Sequence, residues 1–246
     1  MMKVIVTENF AESCKLVARR MADIVKAKPQ AKLGLATGGT CEDIYANLVK
    51  LYKEEGLDFS AVRSVNLDEY IGMEPTNPLS YRYYMNHHLF DHVNIKKENT
   101  YVAGGMGNVE KTVEEFRAKI YEGGAPDFQL LGIGVSGHIG FNEAGDQLHS
   151  LAHVEQLDQT TIDVNARYFE DKSQVPTTAM TMGVGEICAA NEVWLVATGA
   201  SKVNAIKGLI VEPYVTTHNP STVLKLHQNA TVVIDRALAE MVGYKA

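Results

Sequence analysis

The chain has 246 residues, 46% of them hydrophobic, which is enough to bury the core of one large domain. A formal charge of −7 and a pI near 5.6 argue against a nucleic-acid or anionic-membrane surface, so an anionic ligand must be met by a local cluster of donors. Cys14, Cys41 and Cys188 are odd in number, widely spaced and without a Cys-x-x-Cys pair, which points to a reduced cytoplasm rather than to disulfides or a zinc site.

The first residues, Met-Met-Lys-Val-Ile-Val-Thr-Glu, have too short an apolar part for a signal sequence and read as a strand over Lys3–Thr7. No apolar run is long enough to cross a bilayer. From Glu12 to Lys26, Leu16, Val17, Met21, Ile24 and Val25 recur at helical spacing, and Lys28-Pro29 closes that helix. An apolar strand over Ala31–Ala36 then runs into Thr37-Gly38-Gly39-Thr40 and a helix from about Glu42 to Glu54. This order presents backbone N–H groups and hydroxyls at a helix N-terminus, a ready anion site, although an ordinary turn capped by Thr40 would read the same way. The P-loop lysine and the dinucleotide-binding spacing are both absent.

A third strand, Val62–Leu67, ends in Asp68-Glu69-Tyr70. Asp68 stands where a sheet presents catalytic groups and reads as a base, whereas Glu69 reads by default as a solvated loop charge. A tyrosine-rich helix is expected over Ser80–Phe90 and another over about Val109–Tyr121. His88 and His92, and again His149 and His153, have the four-residue spacing of a helical metal pair. Neither pair has a third ligand of the right kind nearby in the sequence, and no metal is expected.

From Asp127 to Gly145 an unbroken apolar run ends in a glycine-rich turn, the pattern of a buried parallel strand that delivers His138 and Glu143 to its carboxyl end. A His five residues before a carboxylate in such a turn suits an acid/base and its orienting partner; the bland alternative is a His that merely caps the strand. Arg167 lies among aromatics in a loop or short helix. A helix is expected near Thr178–Ala190, then a buried strand over Glu192–Thr198 ending in Thr198-Gly199-Ala200-Ser201-Lys202. Lys202 falls in a first helical turn, where a cation opposes the helix dipole and so suggests an anionic partner. A strand over Ala230–Ile234 and a helix over Arg236–Val242 follow. The alternation predicts a doubly wound, mainly parallel α/β sheet with helices on both faces, as a single domain over residues 1–246.

Five strings in register resemble the glucosamine-6-phosphate deaminase (isomerase) family: Gly34–Thr40, Asn66–Tyr70, Gly132–Gly134 with Gly137–Glu143, Val175-Pro176, and Met182–Gly185. The resemblance implies a Rossmann-like sheet with a mobile lid, and conversion of glucosamine 6-phosphate and water to fructose 6-phosphate and ammonia without metal or cofactor. It implies that Asp68 moves the proton between C2 and C1, that His138 opens the pyranose ring, and that Glu143 holds the imidazole in the useful tautomer. It implies that Thr37, Gly38, Gly39 and Thr40 hold the phosphate, with Arg167 and Lys202 supplying charge. Ser136 stands where the family carries Asp or Asn two residues before the His, and it still offers a hydrogen bond to the ring-opening pair. Cys41 and Ala144 stand where prolines are usual. Some allosterically controlled members have an extended C-terminal part, and none is expected here. The expected partner is a small hexosamine phosphate, with a homo-oligomer left open. The competing readings are a 6-phosphogluconolactonase-like hydrolase, which needs no proton shuttle between C1 and C2, and a non-catalytic sugar-phosphate sensor, which needs only the phosphate grip.

Overall fold

The apolar runs and the short segments between them form strands β1 (Lys3–Thr7), β2 (Lys32–Leu35), β3 (Arg63–Asn66), β4 (Asp68–Tyr70), β5 (Thr100–Tyr101), β6 (Phe128–Leu131), β7 (His153–Gln156), β8 (Thr178–Thr181), β9 (Val193–Ala197) and β10 (Ala230–Asp235). They belong to a computed structural model that describes residues 2–245. Seven of them make one sheet in the order β1-β10-β9-β6-β2-β3-β5, and every neighbouring pair in it is parallel. Strands β6, β9 and β10 are buried along their whole length, because helices cover both faces and leave no residue to alternate toward water.

The chain moves outward from β2 to β3 on one side, and places β6, β9 and β10 on the other. The order therefore switches between β2 and β6, and the crevice beyond the carboxyl ends of those two strands is where an open α/β sheet receives a ligand.

The helices follow from their apolar stripes. Phe10–Ala27 buries Val17, Met21, Ile24 and Val25 and is capped by Asn9, whose side chain accepts the Glu12 N–H at 3.0 Å. Inside β2 a lysine is buried: Lys32 Nζ donates to the carbonyls of Lys119, Ile120, Glu122 and Gly124 at 2.6 to 3.3 Å. Those carbonyls lie at and just beyond the C-terminus of the helix Val109–Tyr121, where a cation offsets the helix dipole. Burial nevertheless pushes the Lys32 amine down to about 8.

A second, three-stranded antiparallel sheet, β4-β8-β7, departs from the sequence expectation. The helix expected over Thr178–Ala190 is instead β8 followed by a short helix, Val184–Cys188. Pairing of β8 with β4 on one edge (Asp68 opposite Thr181) and with β7 on the other (His153 opposite Thr181) outweighs local helix propensity. This small sheet packs its own core of Tyr70, Met73, Phe141, Leu157 and Ala179, with Leu79, Tyr81, Ile162 and Phe169 against it. The Tyr70 and Phe141 rings are 5.4 Å apart, and the Tyr81 and Phe141 rings stack at 6.1 Å.

Candidate active site

Beyond the carboxyl ends of β2, β6 and β9 lies a cavity of about 650 Å³. Each wall is a chain segment leaving one of those strands, joined by the start of the second sheet. Thr37–Thr40 leave β2, Gly132–His138 leave β6, Thr198 and Lys202 follow β9, and Asp68 opens β4 one residue after β3 ends. Arg167, in a single 3-10 turn between β7 and β8, closes the rim.

Gly38 takes φ 107, a backbone that side chains resist, and this lets the helix Gly39–Glu55 begin at once with its first N–H groups facing the cavity wall. Two tyrosines pin the turn: Tyr45 donates to the Ala36 carbonyl at 2.6 Å and Tyr84 to the Gly38 carbonyl at 2.8 Å. Lys202 and Arg167 both line the same cavity, close enough for the Arg167 charge to be felt at Lys202. Burial, and then that charge, hold the Lys202 amine below its ordinary value. Two cations and a helix N-terminus thus share one cavity of an acidic protein.

The loop after β6 folds back on itself. Gly134 donates to the His138 carbonyl at 2.9 Å, and Gly137 to the Gly134 carbonyl at 3.2 Å. A Cβ on Gly134 would lie inside the His138 imidazole, so only glycine leaves room for the ring. The imidazole Nδ1 meets Glu143 Oε2 at 2.9 Å and Ser136 Oγ at 3.3 Å. With Nδ1 engaged by the carboxylate, Nε2 is the nitrogen left for exchange with a ligand. Burial alone would raise the Glu143 carboxyl, but the hydrogen bond and charge of His138 outweigh it and leave Glu143 below the usual value. Glu143 itself is buried and does not line the cavity; it acts on the imidazole from behind.

Asp68 faces the cavity with only 7% of its surface exposed, and no side chain among the described residues hydrogen-bonds to it. Burial first, and the Glu69 charge second, push its carboxyl up to about 8. Such a carboxylate is a far stronger base than one in water.

A family model described as glucosamine-6-phosphate isomerases/6-phosphogluconolactonase matches residues 7–233. The chain belongs to this family. Within it, the glucosamine-6-phosphate deaminase of Clostridium perfringens is 42% identical over 241 residues, covering 98% of this chain and 99% of that one. The enzyme of the same name from a Thermoanaerobacter species is 43% identical over 242 residues, covering 98% and 95%. The solved structure of a monomeric glucosamine-6-phosphate deaminase superimposes with a TM-score of 0.95 at 39% identity, covering 98% of this chain and all of that one. A 6-phosphogluconolactonase from Trypanosoma cruzi superimposes at 0.75 with 20% identity, a likeness of fold alone.

In this isomerase/lactonase family member, Thr37–Thr40, Asp68, Ser136, His138, Arg167 and Lys202 line one cavity, with Glu143 behind it. Glu69 corrects the expectation of a solvated charge. It is only 2% exposed, and its carboxylate accepts the backbone N–H of Tyr70 at 2.9 Å and of Arg82 at 3.1 Å. Burial pushes it up to about 7 against those hydrogen bonds. Tyr70, Tyr81, Phe141, Asn165 and Phe169 also line the cavity and went unnoticed in the sequence, where aromatics spread over a hundred positions carry no joint signal. A third neighbour for His149 and His153 is present after all. Glu155, two residues along β7 and therefore on the same face as His153, meets its Nε2 at 2.7 Å. No helix among the described residues is long and apolar enough to cross a membrane.

Proposed function

We propose that this chain is a glucosamine-6-phosphate deaminase: glucosamine 6-phosphate and water enter, and fructose 6-phosphate and ammonia leave. The observation that carries the reading is the convergence of one buried carboxylate, one carboxylate-backed imidazole and one two-cation anion cradle on a single cavity.

The phosphate sits against the N–H groups and hydroxyls of Thr37–Thr40, paired with Lys202 and Arg167. Anchoring that end fixes where the ring and C1–C2 fall. His138, oriented by Glu143 and Ser136, moves a proton to the ring oxygen and opens the pyranose. Asp68 takes the proton from C2, leaving an enolamine across C1 and C2, and returns it to C1. Water then adds at C2 of the resulting imine and ammonia departs, so nitrogen leaves as oxygen enters and no electrons are exchanged with a cofactor. The small sheet and its aromatic core wall off the reacting end, where Tyr70, Tyr81 and Phe141 exclude competing water. The whole chain acts in this reading as one domain in a reducing, cytoplasmic compartment, where the three free cysteines are at home.

Incubation with a panel of hexosamine 6-phosphates, alongside 6-phosphogluconolactone, tests the assignment. Ammonia from glucosamine 6-phosphate with no acid from the lactone is the expected result. Lactone hydrolysis without ammonia, or binding without any turnover, would overturn it.

A further inference from the structure

Away from the cavity, His149, His153 and Glu155 bring one ligand atom each to within 4.8 Å of one another. The details are those of a prepared cation site. His153 Nδ1 lies 3.0 Å from the Leu151 carbonyl, which can accept only from an N–H, so the proton of the neutral ring belongs on Nδ1 and Nε2 carries a lone pair. That lone pair points at Glu155 Oε2, 2.7 Å away. Two acceptors at this separation need something positive between them, either a second proton on the ring or a metal ion. A backbone carbonyl holding the far nitrogen of a histidine is also the usual support for a metal-ligating imidazole. The exposed His149 ring stacks on His153 with centroids 4.1 Å apart, so a third donor stands beside the pair.

The backbone at this corner is fixed. Val184 donates to the His149 carbonyl at 2.9 Å, Glu186 donates to the Ser150 carbonyl at 3.2 Å, and a Cβ on Gly183 or Gly185 would overlap Ser150. The other charged groups facing it are Glu186, which feels the His153 charge, and Arg117, whose guanidinium donates to the Ala152 carbonyl at 2.6 and 2.9 Å.

We infer that His149, His153 and Glu155 form a binding site for a divalent transition-metal ion of the zinc class. Two imidazoles and a carboxylate match the ligand preference of zinc, whose bonds to N and O run to about 2.0–2.2 Å. Ligands around a tetrahedral ion with such bonds stand about 3.3 Å apart, so the His153–Glu155 contact opens by about 0.6 Å on loading. None of the three residues lines the cavity, which makes the ion a clamp between the loop after Glu143 and strand β7, not a participant in turnover.

Titration of the full chain with Zn²⁺ by calorimetry, and with Co²⁺ by its visible absorption, tests the site. One ion per chain is expected, with Co²⁺ bands of low coordination number and a melting temperature that rises with Zn²⁺ concentration. His149→Ala and Glu155→Gln, both at accessible positions, should each weaken binding by more than about tenfold, while His92→Ala leaves it unchanged. Absence of saturable binding, parent-like affinity in either His149→Ala or Glu155→Gln, or loss of binding in His92→Ala would overturn the assignment.

Discussion

In the proposed reaction Asp68 serves as an anionic base, whereas its burial favours the neutral acid and pushes the carboxyl up to about 8. The unfolded chain releases this proton near the ordinary aspartate value of 3.8, whereas the native state keeps it up to about 8. Between those values the native state binds more protons, so stability falls as pH rises through this window and the loss is complete above it. Asp68→Asn removes the conflict and should gain about 1–2 kcal/mol at pH 8 but little at pH 4, read as a melting-temperature difference that grows across that range. The same ionisation should appear in the parent protein as an ascending limb of kcat/KM with its midpoint near 8, because the base works only when deprotonated. Glu143→Gln keeps the shape behind His138 but lets the amide present an N–H to Nδ1, which spoils the tautomer. A fall in kcat of about 10²–10³ at nearly constant KM is expected from steady-state ammonia release. Lys202→Ala should do the reverse, raising KM by about 10–100-fold and touching kcat less, as loss of an interaction made equally in ground and transition states.

The small sheet is what turns a strand-end crevice into an enclosed site, and it holds the His138–Glu143 turn at the end of strand β8, where Asn142 Nδ2 donates to the Met182 carbonyl at 2.8 Å and a threonine hydroxyl takes a backbone N–H. Thr181 Oγ1, in the middle strand β8, accepts the buried Phe141 N–H at 3.0 Å. Thr181→Val keeps the volume and orphans that N–H, so a loss of about 1–3 kcal/mol is expected, visible as a lower denaturant midpoint, together with a lower kcat as the His138–Glu143 turn relaxes. Six of the seven parallel strands are legible in the sequence because they are buried and punctuated: Phe128–Leu131 is apolar but for Gln129 and runs into Gly132, and Val193–Ala197 is wholly apolar and followed by Thr198-Gly199, whereas the two residues of Thr100–Tyr101 carry no such signal. The second sheet is not legible. Strand β4 follows β3 after a single residue, β7 reads His-Val-Glu-Gln with no apolar alternation, and the Thr-Ala-Met-Thr of β8 acquires its conformation only from partners about 25 and 110 residues away. The buried state of Glu69 was hidden for the same reason, since it depends on the helix start at Tyr81 folding back over β4.

Across the whole molecule, residues from positions 37 to 202 share one cavity because the sheet order switches between β2 and β6 and a second layer closes over the gap. Thr37–Thr40, Asp68, His138 and Lys202 are readable from the strand ends, where chemistry-bearing residues interrupt apolar runs, whereas Arg167, in a 3-10 turn away from any strand end, joins them only through the family resemblance. The tyrosines and phenylalanines that enclose the site are not readable, because each is an ordinary core residue until the layers meet. In an acidic protein, Arg167, Lys202, the start of the helix Gly39–Glu55 and the buried carboxyl of Asp68 share one cavity, an arrangement that suits the small anionic substrate proposed above. Ammonia release by Asp68→Asn, measured beside calorimetric binding of glucosamine 6-phosphate to the same variant, isolates that arrangement. Turnover should fall by about 10³-fold or more with affinity held within a few-fold of the parent. Turnover near the parent rate would contradict the role of Asp68, and loss of binding along with turnover would contradict the separation of the base from the phosphate grip.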